Sequence, residues 1–227
     1  MATFKIVMIY IATILICYLI GAIPNGLILG KVFKHVDIRE QGSHSTGGTN
    51  AGRILGAKFG VITIVLDALK IVIPFWLMKL IFGNIEGFEN HATNLQYIAL
   101  MIACLAHCYS VYIGFKGGKA VATFLGCLFA TNYILLIAFV VIFAIVLLIS
   151  KYVSLSSMIG SLCTALLAFI LFITSATHSI FGMWPGLESS ILLVIAITFN
   201  SLLLIVRHKD NIKRLVNKAE SKVKWLK

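Results

Sequence analysis

The chain has 227 residues, of which 60% are hydrophobic and only 12% are charged, and its mean hydropathy is +1.01. That composition excludes an ordinary soluble domain, because so much apolar surface cannot be hidden from water. The formal net charge of +11 is unevenly distributed along the chain, and its distribution indicates how the chain crosses a membrane.

Six apolar stretches follow one another, and most reach the roughly 20 residues that a hydrocarbon core requires. They cover 6-33, 59-83, 94-113, 120-149, 153-175 and 190-206. The first stretch lacks the basic region and cleavage site of a removable signal, so we expect it to stay as a span. Pro24 and Pro74 are expected to kink their helices. These features predict a single integral membrane domain over 1-227.

Basic residues mark one side of the membrane. Lys and Arg occur in 34-58, 114-119, 150-153 and 207-227, whereas 84-93, 131-133 and 176-189 contain neither. The positive-inside rule places the first group of segments in the cytoplasm. Because 114-119 and 150-153 then share a side, the stretch 120-149 must cross twice, with its break at 131-133.

The alternation of sides predicts an all-α, polytopic membrane protein of about seven transmembrane helices, with the N-terminus outside and the C-terminus cytoplasmic. Some of these helices are short. Residues 120-130 make a helix of only about 16 Å, against a hydrocarbon core of roughly 30 Å. Five or six spans are therefore the alternative.

Two charged residues fall within the second apolar stretch. Asp67 and Lys70 are three residues apart, close enough on a helix to form an ion pair. They would either line a polar cavity or make a structural ion pair that holds two helices together, and the ion pair is the favoured interpretation.

The five cysteines all lie in apolar segments and are interpreted as packing residues: Cys17, Cys104, Cys108, Cys127 and Cys163. Cys104 and Cys108 share a helical face, but no third or fourth ligand accompanies them in the sequence. We predict no metal site.

The first basic loop, 37-53, is dense in glycine, hydroxyl and amide side chains. Glycines let backbone N–H groups turn inward around an anion, and Arg53 can bind two phosphate oxygens with its planar guanidinium. The alternative is a flexible solvated loop, and glycine content alone leaves the two interpretations about evenly balanced.

The second basic loop, 114-120, carries Lys116 and Lys119 around a glycine pair and is predicted to open a helix, whose N-terminus attracts phosphate. It lacks the spacing and the Ser or Thr of a nucleotide P-loop. The alternative role of the two lysines is to anchor a span end to lipid headgroups.

Two further basic segments add Lys151 with Ser154, Ser156 and Ser157, and then 207-215. All four segments face the same side, so we expect a basic, hydroxyl-rich pocket at the cytoplasmic interface that accepts two phosphate-bearing substrates. On the other side, His91, His178 and Trp184 are interpreted as interfacial residues.

These segments, in this order, resemble the bacterial acyl-phosphate:glycerol-3-phosphate acyltransferase family over nearly the whole chain. Residues 18-24 resemble its first span, and 43-53 resemble its Ser-Gly-Asn-x-Gly-Ala-Thr-Asn-x-x-Arg loop. His107 and 115-123 resemble its Gly-His and Phe-Lys-Gly-Gly-Lys-Gly-Val-Ala-Thr signature, while 151-157 and 208-215 complete the set.

The resemblance implies a seven-span enzyme of the cell membrane with its active site on the cytoplasmic side. It implies transfer of an acyl group from acyl-phosphate to the sn-1 hydroxyl of glycerol 3-phosphate, which gives lysophosphatidic acid and phosphate in phospholipid biosynthesis. We expect no cofactor and no nucleic acid. Membrane lipid surrounds the protein, and the soluble enzyme that makes the acyl-phosphate is a candidate partner.

Several motif positions depart from the family pattern. Asn is replaced by Ser45, Ala by Gly48, and the Gly before the histidine by Ala106. Tyr109 and Ser110 stand where the family has its Pro, the last Gly of the lysine loop is Ala120, and the Arg before Tyr is Lys151. A divergent paralogue with altered substrate or reduced activity is therefore an alternative.

An acyl-phosphate already has a good leaving group, so direct attack by the glycerol hydroxyl is expected, with positioning and electrostatics carrying the rate. The expected catalytic residues are Arg53, Lys119, His208 and Asn211. Substrate phosphate is expected at Ser43, Gly47, Gly48, Thr49, Asn50, Lys116, Gly117, Gly118 and Ser154. The proton passes to the leaving phosphate, to His208 or to His107, and His107 has a helix-packing role as its alternative.

Two functions of other classes compete with the enzyme. A small transporter would use Asp67 and Lys70 along a route through the membrane. A non-catalytic scaffold would use its basic C-terminal tail on anionic lipid. The polar segments cluster on one side rather than through the membrane, which favours an interfacial enzyme.

Overall fold

The computed structural model describes residues 2–174 and 191–223, and within them every regular element is helical. The α-helices are α1 Ala2–Gly21, α2 Asn25–Lys34, α3 Gly48–Leu55, α4 Ala57–Phe82, α5 Glu89–Cys108, α6 Val121–Thr131, α7 Tyr133–Ser150, α8 Val153–Thr174, α9 Ile191–Arg207 and α10 Lys209–Val216. Short 3₁₀ turns lie at Ile38–Glu40 and Val111–Ile113. The all-α prediction is confirmed. The predictions for His178, Trp184 and the outer segment 176-189 lie outside the described residues.

Five of the described helices are long and apolar enough to cross a membrane: Thr3–Gly21, Ala57–Phe82, His91–Ile113, Tyr133–Ser150 and Val153–Thr174. Helices α9 and α10 together make a sixth candidate, bent by 54° at its break. Helix α6 has only 11 residues, about 16 Å at 1.5 Å per residue. The seven-span count therefore stays a prediction.

The chain divides into two compact units, Met1–Cys127 and Leu128–Lys227. In the first unit, α1, α4 and α5 share a core that contains Cys17, Met78 and Leu95. Gly21 of α1 lies directly against the backbone of Ala103 in α5, where a Cβ atom would overlap. Large apolar side chains point away from this core, as Leu80 does at 71% exposure, which is expected where lipid replaces water.

The first apolar stretch is broken rather than kinked, which corrects the prediction of one continuous span over 6-33. Helix α1 ends at Gly21, and α2 begins at Asn25 after Pro24. Proline has no N–H to donate and disfavours a helical conformation at the residue before it, so the helix ends here. Pro74, in contrast, lies inside α4, and the helix continues through it.

Helices α3 and α4 form a tight pair because glycines remove the side chains between them. A Cβ atom on Gly48 would overlap the Ile64 side chain, and one on Gly60 would lie 2.8 Å from the Cα of Gly52. A second apolar cluster joins Leu29 and Ile38 to Ala51 and Leu55 of α3. This packing holds the loop between α2 and α3.

In the second unit, Asn132 begins α7, and its side-chain oxygen accepts hydrogen bonds from the N–H groups of Ile134 and Leu135 over 3.0 Å each. This N-cap satisfies donors that a helix start otherwise leaves unpaired. The predicted break at 131-133 is thus confirmed as a helix boundary. Gly160 of α8 packs against Phe139 of α7.

Candidate functional site

One buried amide holds the loop between α2 and α3. The Nδ2 atom of Asn50 donates to the carbonyl oxygens of Ile38 at 2.7 Å, Ser45 at 2.9 Å and Gln41 at 3.2 Å. Its Oδ1 atom accepts the backbone N–H of Ser43 at 2.8 Å. Because both polar atoms of the Asn50 side chain are engaged by backbone, this residue fixes the conformation of the loop.

The first turn of α3 presents polar groups outward. Gly47 precedes the helix in an extended conformation, and the leading N–H groups of a helix have no acceptor within it. Thr49 and Arg53 are four residues apart, so they lie on one face of α3, and both are exposed. Within the part of the chain that the structure describes, the Arg53 guanidinium has no hydrogen bond or ion pair.

An ion pair anchors the start of the same loop. The Arg39 guanidinium lies 2.6 Å from the Asp37 carboxylate, and its Nε atom also donates to Asp37. The side-chain hydrogen bond from Arg39 lowers the pKa of Asp37 to about 2, and the same bond raises the pKa of Arg39. Both groups therefore stay charged across the physiological range.

The lysine loop between α5 and α6 is held against the end of α5 by its glycines. The N–H of Gly117 donates to the Cys108 carbonyl at 3.1 Å, and that of Gly118 donates to the His107 carbonyl at 3.0 Å. A Cβ atom on Gly118 would overlap the His107 ring. Only glycine therefore fits at this contact.

The loop precedes its helix rather than opening it, which corrects the sequence interpretation. Helix α6 begins at Val121, two residues after Lys119, and Ala120 between them has a left-handed φ of 63°. Lys116 is exposed at the turn and Lys119 is half-buried. The phosphate role predicted for Gly117 and Gly118 stays a prediction, and both N–H groups already have backbone acceptors.

A buried polar cluster joins three elements beside this loop. Lys70 and Asp67 of α4 form the predicted ion pair at 3.0 Å, and the two side chains are 5% and 2% exposed. Asn25 donates from Nδ2 to the Asp67 carboxylate at 2.9 Å. The Lys70 ammonium also donates to the carbonyl of Ile23 at 2.7 Å. The ion pair therefore ties α4 to the break between α1 and α2.

His107 completes the cluster, since its Nδ1 atom lies 3.0 Å from the Lys70 Nζ atom. An ammonium group has only donors, so Nδ1 must accept and the ring proton must be on Nε2. Lys70 then has three acceptors for its three protons: Asp67, Ile23 and His107. A proton on Nδ1 would bring two cations within 3.0 Å, so this nitrogen is unsuited to act as a base.

The second unit contains a compact polar group at the start of α8 and along α10. Ser154 donates from Oγ to Glu220 at 2.8 Å, and Asn211 donates from Nδ2 to the same carboxylate oxygen at 2.7 Å. The Nε atom of Arg214 lies 2.7 Å from the other oxygen. Ser156 and Ser157 instead donate to backbone carbonyls within α8.

His208 precedes α10 and is buried. Its Nδ1 atom lies 2.8 Å from the Leu204 carbonyl oxygen. A carbonyl oxygen can only accept, so Nδ1 carries the proton and a neutral His208 keeps its lone pair on Nε2. This tautomer is the opposite of the one at His107.

The motifs indicated neither Asn25 nor Glu220, and they did not place Lys70 beside His107. Asn25 and Lys70 are far from His107 in sequence, although the cost of charge within an apolar span indicates a partner for Lys70. Glu220 lies in a basic tail, where it is the one carboxylate of 211–227. Among the described residues, no three His, Cys, Asp or Glu side chains are arranged to hold a metal ion.

Comparison with known proteins identifies the family of the chain. The family model described as glycerol-3-phosphate acyltransferase matches residues 11–218. The chain belongs to this family. It is an acyltransferase of lipid biosynthesis, and the resemblance noted in the sequence is confirmed.

The relatives match over almost their full length. The glycerol-3-phosphate acyltransferase of Acholeplasma laidlawii is 40% identical over 215 residues, covering 94% of this chain and 92% of the relative. The glycerol-3-phosphate acyltransferase of Staphylococcus haemolyticus is 40% identical over 223 residues, covering 96% of this chain and 100% of the relative. Such coverage shows that the similarity extends through both compact units.

Comparison with solved structures supports the same family. The crystal structure of PlsY, an integral membrane glycerol 3-phosphate acyltransferase, in its glycerol 3-phosphate form has a TM-score of 0.77 at 30% identity and covers 94% of this chain and 95% of that chain. The lysophosphatidic acid form of that protein has a TM-score of 0.75. The fold described above is therefore that of a multi-pass integral membrane protein.

Proposed function

We propose that the protein transfers an acyl group from an acyl-phosphate to the sn-1 hydroxyl of glycerol 3-phosphate, forming lysophosphatidic acid and inorganic phosphate. The observation that carries this proposal is the full-length similarity to PlsY, whose structures include a glycerol 3-phosphate form and a lysophosphatidic acid form. Substrate and product of the proposed reaction are the molecules that these forms name.

In the first unit, Arg53 and Lys119 are the proposed catalytic cations. Arg53 is exposed on α3 without a partner among the described residues, so its guanidinium is available for two phosphate oxygens. Lys116 adds an exposed ammonium on the lysine loop. These charges neutralise phosphate and position it for transfer.

The remaining proposed contacts of the first unit are neutral. Thr49 offers an exposed hydroxyl on the Arg53 face of α3, and Ser43, Gly47 and Gly48 surround the start of that helix. Asn50 acts through the loop that its amide holds. Gly117 and Gly118 act in the same way, by fixing the loop that carries Lys116 and Lys119.

In the second unit, Ser154, Asn211 and His208 are the proposed substrate contacts. Ser154 and Asn211 each hold an anionic oxygen as hydrogen-bond donors, here the carboxylate of Glu220. His208 presents Nε2 as an acceptor, which suits a group that takes a proton from a hydroxyl. His107 is assigned a positioning role, because its Nδ1 atom faces the Lys70 ammonium.

The proposed reaction needs no covalent enzyme intermediate. The glycerol hydroxyl oxygen attacks the carbonyl carbon, and the bond between that carbon and the phosphate oxygen breaks. Phosphate leaves with the electron pair, and the hydroxyl proton passes to it or to Nε2 of His208. The protein contributes position and positive charge where negative charge develops.

The proposed topology has seven crossings, with the N-terminus outside and the C-terminus and active site cytoplasmic. It is supported by the basic segments between apolar stretches and by the helix boundary at Asn132. A cytoplasmic site also suits a soluble enzyme that delivers acyl-phosphate. Because Asp67 and Lys70 are closed off by their partners, the cluster gives no support to a transport route.

The test uses purified protein in detergent with acyl-phosphate, with and without glycerol 3-phosphate. We expect phosphate and lysophosphatidic acid to form together, and only when both substrates are present. Arg53→Ala and Lys119→Ala should each lower kcat/KM by at least about 100-fold, as loss of a charge-assisted contact in the transition state does.

Lys58→Ala is the matched control, because Lys58 is an exposed cation next to α3 with no role in the proposed site. Its kcat/KM should stay within about twofold of the wild-type value. Wild-type protein that forms no lysophosphatidic acid would contradict the proposed reaction. Equal losses in Lys58→Ala and Arg53→Ala would contradict the role of Arg53.

A further inference from the structure

Helix α2 is too short to cross a membrane and has two unlike faces. Its ten residues make a helix of about 15 Å, half of a hydrocarbon core of roughly 30 Å. Leu27 and Leu29 are buried, and Leu29 packs in the apolar cluster that includes α3. This face attaches α2 to the rest of the first unit.

The exposed face of α2 is both apolar and basic. Ile28, Lys31 and Val32 lie on one side of the helix, since they are separated by three and four residues, and all three are exposed. Val32 is 59% exposed and Phe33 61%. Lys34 is exposed as well. Such a face suits the membrane interface, where apolar side chains enter the acyl region and lysines extend their ammonium groups to the headgroups.

The end of α2 marks the level at which apolar chain gives way to polar loop. The helix ends at Lys34, and His35 follows with a left-handed φ of 55°. The N–H of Val36 then donates to the carbonyl of Gly30 at 3.2 Å, which closes the last turn. The polar loop 37-53 begins directly after this turn. Both lysines therefore lie at the boundary where lipid headgroups are found.

An aromatic side chain of α4 extends the same surface. The rings of Phe33 and Phe59 have their centroids 5.8 Å apart, and the Lys34 Nζ atom lies 5.9 Å from the centroid of the Phe59 ring. A cation at that distance from a ring is attracted to its face. The surface formed in this way is called the basic rim and consists of Ile28, Lys31, Val32, Phe33, Lys34 and Phe59.

The positive charge of the basic rim is not cancelled by the protein. Within residues 2–174 and 191–223, neither Lys31 nor Lys34 forms an ion pair with a carboxylate. Arg39 is the main cause of the lowered pKa of Asp37, and Lys31 contributes to it at longer range. The Asp37 carboxylate already has the Arg39 guanidinium 2.6 Å away. Two ammonium groups therefore remain available to an outside anion.

We propose that the basic rim docks an anionic phospholipid of the surrounding bilayer, with its headgroup phosphate on Lys31 and Lys34 and its acyl chains along Ile28, Val32 and Phe33. Charge complementarity selects this occupant, because a zwitterionic headgroup carries its own cation and gains less from two lysines. The exposed apolar side chains favour a lipid over a free anion. This docking goes beyond the proposed reaction and does not depend on it.

The strength of the preference follows from the two charges. Each lysine near an anionic membrane surface strengthens binding about 5-fold, so the pair should favour an anionic over a zwitterionic lipid by up to about 25-fold. The bound lipid would hold α2 against the cluster that it shares with α3. It would thereby support the helix that carries Arg53.

The test places a fluorescent reporter in the basic rim. Phe33→Trp is made in the full chain with Trp76, Trp184 and Trp225 replaced by Phe, and the protein is reconstituted into bilayers of phosphatidylcholine and phosphatidylglycerol. Quenching by brominated acyl chains of either lipid gives their relative binding constant beside position 33. We expect phosphatidylglycerol to be favoured by about 5- to 25-fold. In Lys31→Gln combined with Lys34→Gln, the ratio should fall to about 1–2.

Two matched controls separate the basic rim from general effects. Leu80→Trp in the same background reports on an exposed position near the other end of α4, and its ratio should stay near about 1 in every variant. Lys5→Gln removes an exposed cation from the first turns of α1. It should leave the ratio at Phe33→Trp unchanged.

Four outcomes would overturn the inference. The first is a ratio near 1 at Phe33→Trp with both lysines present, and the second is a preference that survives Lys31→Gln with Lys34→Gln. An equal fall in Lys5→Gln would assign the preference to overall charge. A preference that millimolar inorganic phosphate abolishes would assign the lysines to a free anion. Because quenching requires no turnover, an inactive protein that keeps the preference would refute the proposed reaction and uphold the docking.

Discussion

The backbone N–H of Gly118 donates to the carbonyl oxygen of His107 at 3.0 Å, and the imidazole of His107 fills the space where a side chain at position 118 would lie. His107 in turn faces the Lys70 ammonium. The lysine loop is thus placed by a chain of contacts that begins at a buried ion pair.

Gly118→Ala should displace the lysine loop, because the new Cβ atom would overlap the His107 ring. We expect a fall in kcat/KM of at least about 10-fold, since a shift of about 1 Å in a positioned group is enough to produce it. Gly114→Ala is the control: its Cβ atom would meet open space, although its φ of 60° is left-handed. Full activity of Gly118→Ala would contradict the role of this contact.

Lys70→Met should destabilise the protein by about 3–5 kcal/mol, because it leaves the Asp67 carboxylate buried without its cation. Asp67→Leu combined with Lys70→Met removes both charges and should recover most of that loss. Thermal unfolding in detergent measures the stability of the two variants. A double variant no more stable than Lys70→Met alone would argue against a coupled pair.

Ala120→Gly should stabilise the protein by about 1 kcal/mol, because alanine at a φ of 63° carries a steric cost that glycine does not. The same substitution at Ala122, inside α6, should instead destabilise by about 0.5–1 kcal/mol. Melting temperatures of the two variants should therefore move in opposite directions. A shift in the same direction would contradict the predicted gain at Ala120.

Single cysteines test the proposed orientation. In a background without the five native cysteines, Thr3→Cys and Ser221→Cys place thiols at exposed positions near the two ends of the described chain. A membrane-impermeant maleimide should label Thr3→Cys on intact cells and Ser221→Cys only after lysis. Labelling of both on intact cells would contradict an odd number of crossings.

The Asp37–Arg39 ion pair should make the stability of the folded state depend on pH. The pKa of Asp37 is lowered from 3.8 to about 2, so the pair stabilises the folded state above about pH 4 and loses this contribution as pH falls toward 2. The difference in melting temperature between wild type and Asp37→Asn should shrink over that range. A difference in melting temperature that grows as the pH falls would contradict this prediction.

The sequence predicted features that follow from local chemistry. The Asp67–Lys70 pair needs only a spacing of three on a helix, and the boundary at Asn132 needs only a polar break in an apolar run. Helix α2 was predicted wrongly as part of one long span, because the sequence stays apolar past Pro24 and a proline can either kink a helix, as was expected, or end it, as it does here.

The contacts made over long sequence distances could not be read from motifs. His107 lies within an apolar run of the sequence, and only the fold brings Lys70 to it. Glu220 belongs to a tail beyond the family match at 11–218, so no pattern marked it. The site residues that motifs identify are thus only part of what positions a ligand.

The break at Pro24 also constrains the order in which the chain can assemble during synthesis. Two carbonyls at the break, those of Ala22 and Ile23, are met by Ser110 at 2.5 Å and by Lys70 at 2.7 Å. Neither donor has been made when α1 first enters the bilayer, so the Ile23 carbonyl then has only the N–H of Asn25, and the Ala22 carbonyl lacks the Ser110 hydroxyl that it has in the finished fold. The first segment can therefore reach its final form only after the ribosome has added residue 110.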